Sequence, residues 1–284
     1  MSSAQTTLRD FPIPSRPTVG TAFRASGKAL RARDIAGLVQ AREGRWQPGL
    51  AGDRNRAMHS EIFAGTSDAS GAGLALALAC DALEAEQAAR KGNPLAQAQD
   101  NRSILWVQDR AAIQRTGRPY LHGLPADLRH RLIHVAASSP EDALFALEEG
   151  LRCRDLAFVM GEIAGNPRAL DFTASRRLSL TAEKHSVPLW LVRLAAEADL
   201  SSARMRWRVE ASPSTASLWD AKAPGDPIWQ AELFRARAHI PGEWMISNAD
   251  GRLSAKRPTV PTAANTADYG DLARPTVGRS LAAL

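Results

Sequence analysis

The stretch GTSDASGAG, residues 65 to 73, holds glycines, hydroxyls and a carboxylate in the order from which a phosphate-binding turn could be built. A working turn of that type reads G-x-x-x-x-G-K-[ST]: the glycines let backbone N–H groups wrap the phosphates, Lys supplies a cation, and the Ser/Thr hydroxyl holds Mg²⁺. Here Ala72 stands at the Lys position and Gly73 at the Ser/Thr position. Five residues also separate Gly65 from Gly71 where the motif allows four. Either one residue is inserted or Thr66 takes the place of the first glycine. The expectation is a turn that keeps its shape and has lost its cation.

Glu162 follows the apolar run AFVM with only Gly161 between. In a nucleotide-binding α/β protein the carboxyl end of a strand beside the glycine turn is where a Mg²⁺-coordinating acid sits. The competing reading is a solvated residue at the top of the sheet, and the missing Lys and Ser/Thr favour it. Asp109, also at a strand's end, could orient a water. His130 and His134 are four apart, but RLIHVA reads as a strand, which would hold the rings about 13 Å apart. No metal site is expected. No G-x-S-x-G elbow is present, and neither Cys80 nor Cys153 carries the signature of a nucleophile. No catalytic residue and no cofactor are expected.

Arginines form the other candidate group. Arg176 and Arg177 share a helix, and Arg204, Arg206 and Arg208 alternate along MRWRVE with Met205, Trp207 and Val209. Strand alternation would turn the three to one side. They are candidates for DNA or partner contact, against the alternative of a solvated strand face. Trp207, Trp229 and Trp244 read as core or interface anchors.

These residues are positioned by a regular alternation of short apolar runs and helical patterns, the mark of an α/β fold with a largely parallel sheet. SEIFAG predicts a strand, the glycine stretch a turn, and residues 73 to 90 a helix. SILWVQ, RLIHVA, LAFVMGEI and PLWLVRLA predict further strands. SPEDALFALEEGLR and DFTASRRLSLTAEKHS predict helices. Beyond them MRWRVEA, WQAELFRARA and GEWMISN alternate apolar with charged residues, predicting antiparallel edge strands with one wet face.

The flanks differ. Residues 1–20 and 254–284 are rich in Pro, Thr, Ser and Ala, with too few large apolar residues to offset their ordering entropy, so disordered tails are expected there. RPTVG occurs at 16–20 and again at 274–278, with RPTV at 257–260. Residues 24–46 predict one amphipathic helix, which with a linker makes up residues 21–56.

The 284 residues carry 44% hydrophobic residues and a net charge of +6. That suits nucleic acid or an acidic partner, and equally an arginine-rich proteome. Two cysteines without pairing or ligand spacing exclude a disulfide scaffold and a zinc site. The longest uncharged apolar run, AGLALALAC, falls far short of the roughly 20 residues a membrane helix needs. No signal-type apolar segment opens the chain. A cytoplasmic protein is expected.

The phrases VMGEIA, FTASRRLSLTAE, RWRVEASPS and WQAELFRARAHIPGEWMI, in this order, resemble the RecA-like ATPase core and more narrowly the ImuA family of bacterial inducible-mutagenesis proteins. The resemblance covers residues 57–253. It implies a RecA-like P-loop NTPase core with a degenerate P-loop, whose nucleotide-binding candidates are Gly65, Gly71, Ala72 and Gly73 of the turn together with Glu162. It also implies an accessory role in damage-inducible (SOS) translesion synthesis and mutagenesis. The implied partners are the inactive Y-family polymerase homologue ImuB, an error-prone C-family DNA polymerase and RecA, with weak DNA binding and no ATPase activity. The segments IAGNPRAL and AAEADLSSA occupy the places of RecA's DNA-binding loops, yet are short and carry little positive charge, so phosphate contacts are few. Two alternatives stay open. One is a cell-division inhibitor of the SulA type; the other is a weak DNA-dependent ATPase, which would need a cation from elsewhere, such as Lys91.

Overall fold

A computed structural model describes residues 58–90, 100–217, 220, 223, 225–237, 241–249 and 251–258. The helix expected at 24–46, both RPTVG copies, Lys91 and the tails before 58 and after 258 lie outside the described residues.

Strand β1 (His59–Ala64) is buried at all six positions and leads through residues 65–69 into helix α1 (Ser70–Arg90). Strand β2 (Ser103–Asp109), the short helix α2 (Arg110–Thr116), β3 (Leu132–Ala137), α3 (Pro140–Arg152), β4 (Leu156–Ala164), α4 (Phe172–His185) and β5 (Leu189–Leu194) follow. Strands β6 (Met205–Ser212), β7 (Ile228–Ala236), β8 (Gly242–Ala249) and β9 (Arg252–Lys256) complete the described strands, and two 3₁₀ turns, Leu121–Gly123 and Arg129–Arg131, lie between α2 and β3.

One mixed sheet of nine strands runs β3-β2-β4-β5-β1-β6-β7-β8-β9. The pairings from β3 through β6 are parallel, and those from β6 to β9 antiparallel. Apolar runs predict this division. β4 and β5 are buried along almost their whole length because helices cover both faces. In β6 and β7 exposed and buried residues mix, as on strands with one wet face.

The two faces have separate cores. Leu74, Leu78 and Leu83 of α1 pack with Ile62, Trp106, Met160, Val192, Trp207, Trp229 and Trp244. Leu144, Leu147 and Leu178 of α3 and α4 pack with Leu105, Val159, Leu189 and Leu191 on the other. Ser139 caps α3 by accepting from the Asp142 N–H at 3.1 Å, ahead of Pro140, and Asp171 caps α4 by accepting from the Ala174 N–H at 2.7 Å.

Two elements were not expected. The helix α2, seven residues long, is too short for a periodic signal, and RLSAK of β9 has no apolar alternation. β9 also runs to Lys256, so ordered strand continues past residue 254, where composition had placed the start of a tail.

β1 sits mid-sheet. The chain leaves it toward β2 on one side, and after β5 crosses to β6 on the other. Such a reversal opens a crevice at the carboxyl ends of the strands. The glycine stretch and Glu162 both lie there.

Candidate functional site

The glycine stretch is part loop and part helix. Only residues 65–69 form a loop; α1 begins at Ser70, three residues earlier than predicted. The Asp68 carboxylate accepts from the Ser70 N–H at 2.8 Å, and Gly73 N–H donates to the Ala69 carbonyl at 2.8 Å, which closes the first turn. The left-handed residues among those described are Gly117, Gly165, Gly251, Ser186 and Ala195, none of them in this stretch. A backbone nest for an anion uses the alternation of right- and left-handed residues. The strand-turn-helix context is therefore present without that nest.

What the glycines do here is admit close packing. A Cβ on Gly71 would lie 2.7 Å from the Ala64 Cβ and 2.8 Å from the Val192 Cγ1, and one on Gly73 would lie 3.1 Å from the Trp229 ring. Helix α1 thus rests directly on β1, β5 and β7. Gly65 meets no such limit.

Glu162 is not a solvated residue at the sheet's top; only 2% of it is exposed. Trp106 Nε1 donates to its Oε1 at 2.7 Å, and Thr116 Oγ1 lies 3.2 Å from its Oε2. Burial pushes the carboxyl above its ordinary value, against the opposing hydrogen bonds from Trp106, Gln108 and Thr116. The Thr116 hydroxyl also lies 3.0 Å from the Ala112 carbonyl. Its one proton is shared between the Glu162 carboxylate and the Ala112 carbonyl. Both oxygens of Glu162 are thereby engaged, which disfavours a Mg²⁺ ligand.

A carboxyl raised on folding destabilises once ionised. Its stabilising contribution is whole below the ordinary carboxylate pKa and is lost as pH rises through the folded value. Glu162→Gln is therefore expected to gain stability relative to the parent chain as pH rises from the ordinary carboxylate range toward neutrality. Urea midpoints of both proteins across that range test this, and a parallel dependence would overturn it.

Glu162, Trp106, Gln108, Thr116, Ala72 and Gly73 border a cavity of about 310 Å³. Its one cationic side chain among the described lining residues is the exposed Arg118, which the sequence reading did not single out.

The other candidates are dispersed. Asp109 is buried and its carboxylate caps α2, accepting from the Ala112 N–H at 2.6 Å and the Ala164 N–H at 3.4 Å, so it is not poised on a water. His134 pairs with the Gln108 side chain at 2.9 Å. No group of three metal-ligating residues occurs among the described residues. No helix among them is long and apolar enough to cross a membrane.

Among the arginines, Arg176 and Arg177 are exposed on α4, Arg177 held by Glu148 at 3.1 Å. Arg204 pairs with Glu183 at 2.5 Å and Arg208 with Glu232 at 2.8 Å. Arg206 does not join them as a contact surface. It is 3% exposed, with its Nε 2.7 Å from Glu61 Oε2 and its guanidinium over the Phe63 and Phe234 rings. Arg193, also buried, sits 4.0 Å from Glu61 and donates to the Gly165 carbonyl at 3.1 Å. Ser201 Oγ donates to the remaining Glu61 oxygen at 2.7 Å. The sequence reading missed this buried Arg–Glu–Arg group. Its signal was a lone charge in each of two apolar strands, SEIFA and LWLVRL.

The two segments at the loop positions are tied to each other. Asn166 donates to the Glu197 carbonyl at 3.0 Å and to the Asp199 carboxylate, and accepts from the Glu197 N–H at 2.8 Å. Glu197 and Asp199 make this corner acidic. No family model matches the chain, and no curated protein matches its sequence.

Proposed function

We propose that this chain is a RecA-like, non-catalytic accessory protein of damage-inducible translesion DNA synthesis, acting beside an ImuB-like inactive polymerase homologue and an error-prone C-family polymerase. The observation that carries the reading is the state of the switch-point crevice. Strand, turn and helix keep the arrangement of a nucleotide site, while the turn lacks its Lys and its left-handed residues and the acid at β4 is sealed by Trp106 and Thr116. A phosphate gains from backbone donors and a cation together, and here the turn forms no nest and the one Lys or Arg among the described lining residues is the exposed Arg118. The acidic, cross-bonded segments at Asn166 and Glu197 further support weak DNA contact, since few cations there would release counterions. Arg176, exposed and without an ionic partner among the described residues, is the clearest remaining contact candidate on α4.

The reading is tested by ultraviolet-induced mutation frequency in a strain lacking the gene, with cell length recorded under overexpression. The expected result is loss of induced mutation at normal cell length, with ATP binding by the purified chain weaker than about 1 mM. Unchanged mutation with filamentous cells would replace the reading by division inhibition. Tight ATP binding that Arg118→Ala abolishes would replace it by an ATPase that draws its cation from that loop.

A further inference from the structure

A second, larger cavity of about 830 Å³ lies along the flank of α1; it adjoins the first at Gly73, Leu76 and Leu124 but Glu162 does not line it. Its floor is a single helical stripe: Gly73, Leu76, Ala77, Cys80, Leu83 and Gln87, at the spacing that puts residues on one face. From Gly73 to Gln87 that stripe runs about 21 Å. One wall is the segment from His122 to Arg129; the other is Pro227, Trp229, Asn248 and Gly251.

The polar groups around this apolar floor are mainly acceptors. Glu84 on α1 and Asp127 on the His122–Arg129 wall are both exposed, and Asp127 lies 3.9 Å from the Arg131 guanidinium. The Asn248 Oδ1 is buried and has no donor among the described residues. Arg129, the one Lys or Arg among the described lining residues, already donates its Nε to the Leu124 carbonyl at 2.9 Å. The Cys80 thiol on the floor is pushed up to about 12, chiefly by burial, with the carboxylates of Asp127 and Glu84 adding to it and Arg131 opposing.

We propose that this groove docks a basic amphipathic helix of a partner protein, with apolar side chains on the Leu76–Cys80–Leu83 floor and Lys or Arg reaching Glu84, Asp127 and Asn248. The length and straightness of the floor suit a helix, whose ridges fill the grooves of another helix. A small apolar molecule would use the floor and leave these acceptors unmatched. The inference stands independently of the mutagenesis reading, since it rests on the groove alone.

The test is fluorescence anisotropy of the full-length chain with a labelled, amidated Leu/Lys peptide of about 18 residues that forms an amphipathic helix. Two comparison peptides carry Glu in place of Lys, or a central Pro. The Lys peptide is expected to bind at least about tenfold tighter than either, and to lose about tenfold on the double change Glu84→Lys and Asp127→Lys. Both rim residues are exposed, so the double variant is expected to fold, and its urea midpoint checks this. Leu76→Asp gives a second probe from the floor. The proposal is overturned if the Lys peptide does not bind, if the Glu or Pro peptide binds equally, or if neither the rim nor the floor variant weakens binding.

Discussion

Glu61→Gln is expected to destabilise the protein by roughly 3–5 kcal/mol, the cost of leaving a buried charge without its partner. The substitution keeps the side chain's size and an oxygen for the Ser201 hydroxyl, and removes only the negative charge that faces Arg206 at 2.7 Å and Arg193 at 4.0 Å. Both guanidinium groups would remain in the sheet, 3% and 2% exposed, Arg206 at 5.0 Å and Arg193 at 5.6 Å from the Phe63 ring centroid. Against a total stability of about 5–15 kcal/mol this is a large fraction.

The companion variant Glu61→Leu, Arg193→Met and Arg206→Met removes all three charges together. It is expected to recover most of the loss, because a buried ion group contributes little over well-packed apolar residues. Urea midpoints at unchanged m-value measure both effects. A loss below about 1 kcal/mol in Glu61→Gln would mean that water reaches the arginines and that the group is not sealed.

The second large effect is a loss of stability in mild acid. His59 opens β1, is 1% exposed, and bonds the Ser179 hydroxyl through Nδ1 at 2.7 Å. Burial is the main cause that lowers its pKa from 6.5 to about 4, aided by Arg206 and Arg193 and opposed by Glu61 and Glu183. A histidine depressed on folding stabilises fully above its unfolded pKa, and that contribution is lost as pH falls through the window from 6.5 to about 4. The drop corresponds to roughly 3 kcal/mol. Glu162 contributes with the opposite sign in an overlapping range, so the parent curve alone does not separate them. The difference between the parent and His59→Gln does. The variant keeps a polar partner for Ser179 and is expected to lack this acid-side loss, and an unchanged slope between pH 6.5 and 4 would show that His59 does not carry it.

How much of this was legible depended on whether a residue's neighbours were close in sequence. The β1–turn–α1 unit is read from SEIFAG, the glycines and the apolar helix that follows, because strand and helix periodicities are local. The same holds for α3, whose cap Ser139, Pro140 and acidic first turn are consecutive. α2 escaped notice since seven residues make no period, and β9 since its pairing with β8, not its composition, makes it a strand.

The sites were less legible. Arg204, Arg206 and Arg208 look alike in MRWRVE, and alternation puts all three on one side. Only the neighbouring strand separates them: β1 brings Glu61 and Phe63 beside Arg206, while Arg204 and Arg208 reach Glu183 and Glu232 near solvent. Glu162 was legible as an acid at a strand's end. That it is buried against Trp106 and Thr116 was not, because those partners lie 56 and 46 residues away along the chain.

The sequence by itself determined the alternation of strands and helices, the parallel core with its antiparallel flank, and the absence of a Lys and Ser/Thr at residues 72 and 73. These follow from side-chain period and residue type, which need no partner. Tertiary structure alone decided which charges are buried, which carboxylates are spent as caps or hydrogen-bond acceptors, and where α1 leaves an acceptor-rimmed groove. Burial and electrostatic environment are properties of contacts between distant segments, and strand order sets them.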